Sequence, residues 1–318
     1  MIDKLKLIGH FLLLAIAFHG QAFGWSGPGH AAVAVMAYRD LAANQTLRTN
    51  LVNLLRSHPK FGAWKNEFDA TQQSLPGVDF GMFLFVRAST WPDEIRGTKV
   101  PSLKPFDHPG WHFVDYPLSV PTFSTGPSPD PNDDVLFGIS ESLKTLADKN
   151  AAPIERAASL SWLIHLVGDI HQPLHCATLI TATMPPPEGD RGGNKFFIYQ
   201  NATHKQQDLR TKLHAYWDGR LGSDFVPDPG KALQNAKTLK TTHSRGSLSE
   251  LGAGDNTQQW SFESRDKSIS DAYQFQGKVL RPLKVLPSGY ISNSHRVARR
   301  RLALAGYRLA DELSKVAF

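Results

Sequence analysis

The chain has 318 residues, 41% of them hydrophobic, with 35 lysines and arginines against 29 aspartates and glutamates and a formal charge of +6. That apolar content describes a globular chain with a substantial core, while the mild basic excess does not by itself select a polyanionic ligand. A single cysteine, Cys176, excludes an intramolecular disulfide, so packing and bound metal are the remaining sources of stability.

Lys4 and Lys6 precede an apolar stretch from Ile8 to Phe18, which is interrupted by His10 and is short for a bilayer span. Ala22-Phe23-Gly24 then places small residues where a signal peptidase cuts. Residues 1–24 are read as a signal peptide cleaved between Gly24 and Trp25. Lys4, Lys6 and Asp3 leave with it, which lowers the charge from +6 to +5. The remainder, 25–318, is expected as one domain, periplasmic or secreted, with no stable membrane association.

Most of the mature chain reads as helix. The first candidate covers Ala31 to Ala43, where Val33, Val35, Met36, Tyr38 and Leu41 fall near helical spacing. Further helices are expected at Gln45–Ser57, Pro76–Ser89, Asp133–Lys149, Pro153–Gln172, Lys205–Leu221, Gly230–Thr241, Gln258–Gln276 and Ser292–Val316. Pro153 suits a first helical turn, Glu155 sits near that turn's positive end, and Pro173 stops the helix. Pro117–Pro131 and Met184–Gly193 read as loops, and "NKFFIYQ" before Asn201 as a short strand. The fold class expected is therefore all-α, a mainly helical single domain with a short β-hairpin.

The densest chemical signal is "WLIHLVGDIHQPLH", residues 162–175. His165 and Asp169, four residues apart on a helix, lie about 40° apart around its axis and one turn along it, so both face one pocket. Pro173 turns the chain and frees His175 to reach a neighbouring ion, whereas His171 falls on another face and suits packing or support. His214 and Asp218 in "LHAYWDGR" repeat the spacing. One such pair is ordinarily a helical ion pair. Two pairs and His175 supply the nitrogen and oxygen donors that zinc accepts. Asp93 in "STWPDEIR" and His112 in "WHFVDYP" stand among bulky aromatics, where an unpaired polar group is costly and needs a partner.

These pieces, in this order from Trp25 through Asp218, resemble the zinc-dependent, single-strand-specific nucleases of the S1/P1 type, mung bean nuclease among them. The resemblance implies a mainly helical fold and three zinc ions. One would be held by Asp93, His112 and His165, with Asp169 bridging to a partner ion. A second, standing apart, would take His175, His214 and Asp218. The third would be bound by Asp169, His30, and the amino nitrogen and carbonyl oxygen of Trp25. Asp93, Arg96 and Asp169 would carry catalysis, Arg96 by offsetting charge that develops on phosphorus. Phe113 would stack on a nucleobase, Asp115 would hydrogen-bond the base edge and Asn194 would make a further base contact. The implied partners are single-stranded DNA and RNA and 3'-nucleotides, and the implied chemistry is phosphodiester hydrolysis to 5'-phosphorylated products with 3'-nucleotidase activity.

The disulfide framework of fungal and plant members is missing here, and Cys176 has no counterpart among the ligands, so it reads as a small buried residue. Two other functions remain open at this point. A zinc phospholipase C resembles the same trinuclear ligand set, but its last ligand is expected to be glutamate where Asp218 stands. A non-catalytic zinc-binding protein would need neither Arg96 nor a base-stacking aromatic.

Overall fold

A computed structural model describes residues 24–128, 130–252 and 256–316. The expected signal peptide thus lies, but for Gly24, outside the described residues. The helices are α1 (Gly27–Asp40), α2 (Gln45–Leu55), α3 (Phe61–Thr71), α4 (Phe80–Ile95), α5 (Val135–Ala147), α6 (Pro153–Asp169), α7 (Ala202–Gln206), α8 (Leu213–Asp218), α9 (Pro229–Thr242), α10 (Thr257–Lys267) and α11 (Tyr290–Ser314). The strands are short: β1 (Pro117–Ser119), β2 (Ser124–Thr125), β3 (Thr178–Ile180), β4 (Phe197–Ile198), β5 (Thr211–Lys212), β6 (Gln274–Phe275) and β7 (Lys278–Val279). The mainly helical class holds, and no helix among the described residues is long and apolar enough to cross a membrane.

Helix α1 is the hub. Residues 27–38 are all buried, because alanine, valine and glycine surround the whole circumference instead of one stripe. It packs on α4, α6, α9 and α11. Against α11 the contact is close at Gly306, where a Cβ would stand 2.6 Å from the Cβ of Met36. Helix α6 begins at Pro153, and the Glu155 carboxylate accepts from the backbone N–H of Ala152 at 3.3 Å. The apolar interior falls into two clusters. One is built on α1, α4, α6 and α11, and a smaller one holds Leu174, Phe196, Leu213, Trp217, Tyr273 and Tyr290. The 173–176 turn joins the two, with Cys176 in the first and Leu174 in the second.

Several boundaries differ from the sequence expectation. The helix expected over 76–89 runs over 80–95. Asp79 starts it by accepting from the Met82 N–H at 2.8 Å, and full burial of Trp91 carries it through Pro92. The single helix expected over 205–221 is two. Asp208 adopts φ +52°, and Thr211–Lys212 pairs with Phe197–Ile198 between them. The Pro117–Pro131 loop contributes β1 and β2 to a three-stranded sheet ordered β2-β1-β3, with β1 and β3 parallel. β4 and β5 enclose α7, so the tight hairpin is instead β6–β7, turning at Gln276-Gly277. The helix expected to reach Gln276 stays α-helical only to Lys267 and widens over Ser268–Tyr273.

Candidate metal centre

Five buried histidines and three buried aspartates converge from α1, α4, α6, α8, the 109–112 turn and the short helical turn Pro173–Cys176. They form three groups whose ligand atoms lie within 4.8 Å of one another: Asp93, His112 and His165; His30, His165 and Asp169; His175, His214 and Asp218. Geometry places His165 in the first two groups at once. Its Nε2 stands 3.0 Å from Asp169 Oδ2 and 3.7 Å from Asp93 Oδ1. Asp169 spans the groups, with Oδ1 at 3.3 Å from His30 Nε2 and at 3.7 Å from His175 Nδ1.

The imidazoles are oriented by main-chain carbonyls. His165 Nδ1–H donates to Ser89 O at 2.8 Å, His175 Nδ1–H to His112 O at 2.6 Å and His214 Nδ1–H to Gly192 O at 2.6 Å. Each bond fixes the tautomer that leaves Nε2 with a lone pair. The carbonyl of Gly192 reaches His214 because the backbone there is left-handed, φ +59°, and a Cβ would strike Leu174 O at 2.4 Å. His175 Nε2 and His214 Nε2 consequently face each other at 3.2 Å. Two lone pairs repel at that distance unless a cation or a proton lies between them.

Other donors point the same way. Asp93 Oδ1, Asp169 Oδ1 and His30 Nε2 are buried without a hydrogen-bond partner among the described residues, and such groups demand compensation. Burial opposes ionisation of Asp169, yet His165 and His175 overcome it and hold its carboxyl well below the usual range. Burial pushes Asp93 up to about 7 and Asp218 well above the ordinary value. Burial opposes the charge of His165, but Asp169 and Asp93 raise it to about 9, while burial and His165 lower His30 to about 4. Nitrogen and carboxylate donors in threes suit zinc, so the residues fit the ions that the sequence resemblance implies.

Trp25 is fully buried beside this centre, and Gly24 lies against it. A Cβ on Gly24 would stand 1.6 Å from Asp169 Oδ1 and 2.9 Å from His30 Nε2. Arg96 closes α4; its guanidinium carbon lies 6.0 Å from the Phe113 ring centroid, and Nη2 donates to Pro109 O at 3.3 Å. Phe113 is half-buried, as are Asp115 and Asn194. The Asn194 amide donates to Arg191 O at 2.9 Å, and Arg191 and Asp190 both act electrostatically on Asp115. His171 turns away from the centre, as expected: its Nδ1–H donates to Val167 O and its Nε2 accepts from Arg308. Cys176 is buried with its thiol pushed up by burial, and so inert.

Burial and the nearby Asp190 raise Asp115 to about 7. Protonation of Asp115 therefore favours the folded state. This contribution is complete below about pH 4, the ordinary aspartate range, and is lost as pH rises through about 7. Asp115→Asn is permanently neutral, so the decline of Tm between pH 5 and 8 becomes shallower in a thermal melt series. An unchanged slope contradicts the shift.

The family model described as S1/P1 nuclease matches residues 25–317. The chain belongs to the S1/P1 nuclease family. Membership in the S1/P1 nucleases implies a phosphodiesterase hydrolase, and the match begins at Trp25. Among curated proteins, Endonuclease 3 of Arabidopsis thaliana is 23% identical over 250 residues, covering 71% of this chain and 74% of that protein. Endonuclease 4 of the same plant is 26% identical over 200 residues, and the chain spans only 56% of its length.

Sequence reasoning missed three supports of this S1/P1 nuclease centre. Ser26 ties the Trp25 segment to α8, its Oγ donating to Asp218 O at 3.0 Å and also bonding Gly222 O. The carbonyl of Gly192 sets His214, and Gln172 bonds Asp218. A Gly-Gly pair beside a polar loop hinted at the second. Ser26 and Gln172 carried no spacing signal.

Proposed function

We propose that this S1/P1 nuclease is an exported enzyme that holds three zinc ions and hydrolyses single-stranded DNA and RNA to 5'-phosphorylated products, with 3'-nucleotidase activity. The observation that carries the reading is the buried set of ligand atoms that make no hydrogen bond or face one another: Asp93 Oδ1, Asp169 Oδ1, His30 Nε2, and the His175 and His214 nitrogens 3.2 Å apart. The holders would be Asp93, His112, His165 and Asp169; Asp169, His30 and Trp25; and His175, His214 and Asp218. When bound there, zinc supplies Lewis acidity and brings the pKa of water toward neutrality.

The protein's own residues divide the remaining work. The carbonyls of Ser89, His112 and Gly192 keep three imidazoles aimed inward, so that their lone pairs need no reorganisation during turnover. Arg96 brings a fixed positive charge to the rim, where phosphate oxygens gather negative charge. Phe113 offers a half-buried ring to any base, which supports tolerance of sequence and preference for unstacked strands. Asp115 and Asn194 would provide an acceptor and an amide for the base. Phospholipid hydrolysis is the reading that the family match disfavours, along with Asp218 in place of glutamate.

The test is to purify exported protein, sequence its N-terminus, count zinc and compare hydrolysis of single-stranded DNA, RNA and phosphatidylcholine before and after chelation. Cleavage of lipid but not nucleic acid overturns the proposal. Metal removal also has a stability signature. One ion present at about 1,000 times its Kd adds about 4 kcal/mol, so chelation lowers Tm by about 10 °C or more. Calorimetry with and without chelator measures it, and an unchanged Tm argues that no ion is bound.

A further inference from the structure

Gln172 is completely buried and stands between the ligand-bearing positions 169 and 175. Its backbone N–H donates to Asp169 O at 2.9 Å, and its backbone carbonyl accepts from His175 N–H at 3.0 Å. The side chain is engaged at both ends. Oε1 accepts the N–H of Leu174 and so caps the Pro173–Cys176 turn, while Nε2 donates to Asp218 Oδ1 at 2.6 Å. One residue thus touches or spaces Asp169, His175 and Asp218.

The second bond decides what Asp218 can offer. Its Oδ1 already accepts from the amide, which makes it the poorer donor to a cation, whereas Oδ2 is free of that bond and lies 3.5 Å from His214 Nε2. A carboxylate held by one oxygen in this way presents a single donor atom beside two imidazole nitrogens. That arrangement suits a small four-coordinate cation and disfavours one that needs several oxygens or a bidentate carboxylate. The amide also fixes the carboxylate plane, which a rotating aspartate would otherwise lose entropy to adopt.

We infer that Gln172 is a positioning residue for the His175/His214/Asp218 cluster, making Asp218 a one-oxygen ligand and setting that cluster's preference for zinc over oxygen-seeking cations. The inference rests on the three-ion reading above and deepens it at one of the three groups.

Two substitutions separate the side chain's two roles. Gln172→Glu keeps an oxygen to cap Leu174 but sets a second oxygen against Asp218 Oδ1 where the donor stood. Gln172→Met removes both bonds at similar volume. Folded, processed protein is equilibrated in graded zinc buffers, and the ions per chain are counted at each free zinc concentration. Supporting partners of metal ligands change affinity by about 10- to 100-fold. In both variants one of the three ions should therefore weaken by that factor, with the other two unchanged. The visible spectrum of the cobalt-loaded protein should lose the contribution of one site, and manganese should compete better there. Wild-type affinity at all three sites in Gln172→Glu overturns the inference, since capping alone would then explain the residue. Equal weakening of all three ions overturns it too, because a general structural defect has no preference among sites. If Gln172→Glu does not fold, Gln172→Met decides by the same criteria. Wild-type protein that binds no zinc at all refutes the three-ion reading itself, which distinguishes the two failures.

Discussion

Asp169→Asn lowers kcat for phosphodiester hydrolysis by more than about 100-fold, beyond what is typical for losing a residue that merely supports a ligand. The two carboxylate oxygens serve different neighbours. Oδ2 lies 3.0 Å from His165 Nε2 and 3.1 Å from His112 Nδ1, whereas Oδ1 lies 3.3 Å from His30 Nε2. An amide keeps the shape but turns one of these acceptors into an NH2 group with no lone pair to give. Either orientation of the amide therefore disables one group, and the shared negative charge is lost from both. Zinc analysis should show loss at the groups that share Asp169 and retention at His175, His214 and Asp218. His165→Ala should match it in turnover, since its Nε2 belongs to the same two groups. His295→Ala is the control. His295 is half-buried on α11 and bonds Arg220 O at 3.0 Å, outside the three groups, so activity stays near that of the parent. A fully active Asp169→Asn refutes the bridging role.

The parts of this centre that the sequence announced are those carried by one helix. His165 and Asp169 share a face of α6 by spacing alone, and His214 and Asp218 share one on α8, even though α8 is only six residues long. Asp93 was harder to place. Pro92 argues for a helix ending before it, yet burial of Trp91 and Ile95 keeps α4 going to its last turn. Helix α3 carries Phe61, Trp64 and Phe68 at helical spacing but went unread between its neighbours, Gly62 weakening the pattern. Most of the supporting bonds were not legible, for a physical reason. Ser89 and His112 act through carbonyl oxygens, which every residue possesses, so side-chain identity carries no trace of the role, and at Gly192 only the glycine itself hinted at it. Gln172 differs in using its side chain, but glutamine is not a usual capping residue, and its partner Asp218 is 46 residues away.

The same centre predicts a strict requirement at the start of the mature chain. Protein beginning at Trp25 should bind three zinc ions, and protein with one alanine added ahead of Trp25 should hold one of them more weakly by well over about 10-fold. Two effects act together. An α-amino group of ordinary pKa near 8 gives up its proton to a metal readily, whereas an amide nitrogen at the same place has no basic lone pair. The space is also restrictive: a Cβ at position 24 would come within 1.6 Å of Asp169 Oδ1 and 2.9 Å of His30 Nε2, so an alanine there displaces the carboxylate that two groups share. Glycine added instead of alanine removes only the amine and leaves the space, which separates the two causes. The alanine form should lose more turnover than the glycine form; the glycine form should lose one ion, and the alanine form should lose that ion and also bind more weakly at the other group that shares Asp169. Ser26 bonds Asp218 O and so ties the segment down independently of the first residue; if that tie is kept, a change in metal content reports on the first residue and not on detachment of the segment behind it. Under the proposed export, a cut after Gly24 would complete the metal centre, and export and activation would become one event. Three tightly bound ions in the alanine-extended protein, with parental turnover, would show that Trp25 marks a cleavage position and nothing more.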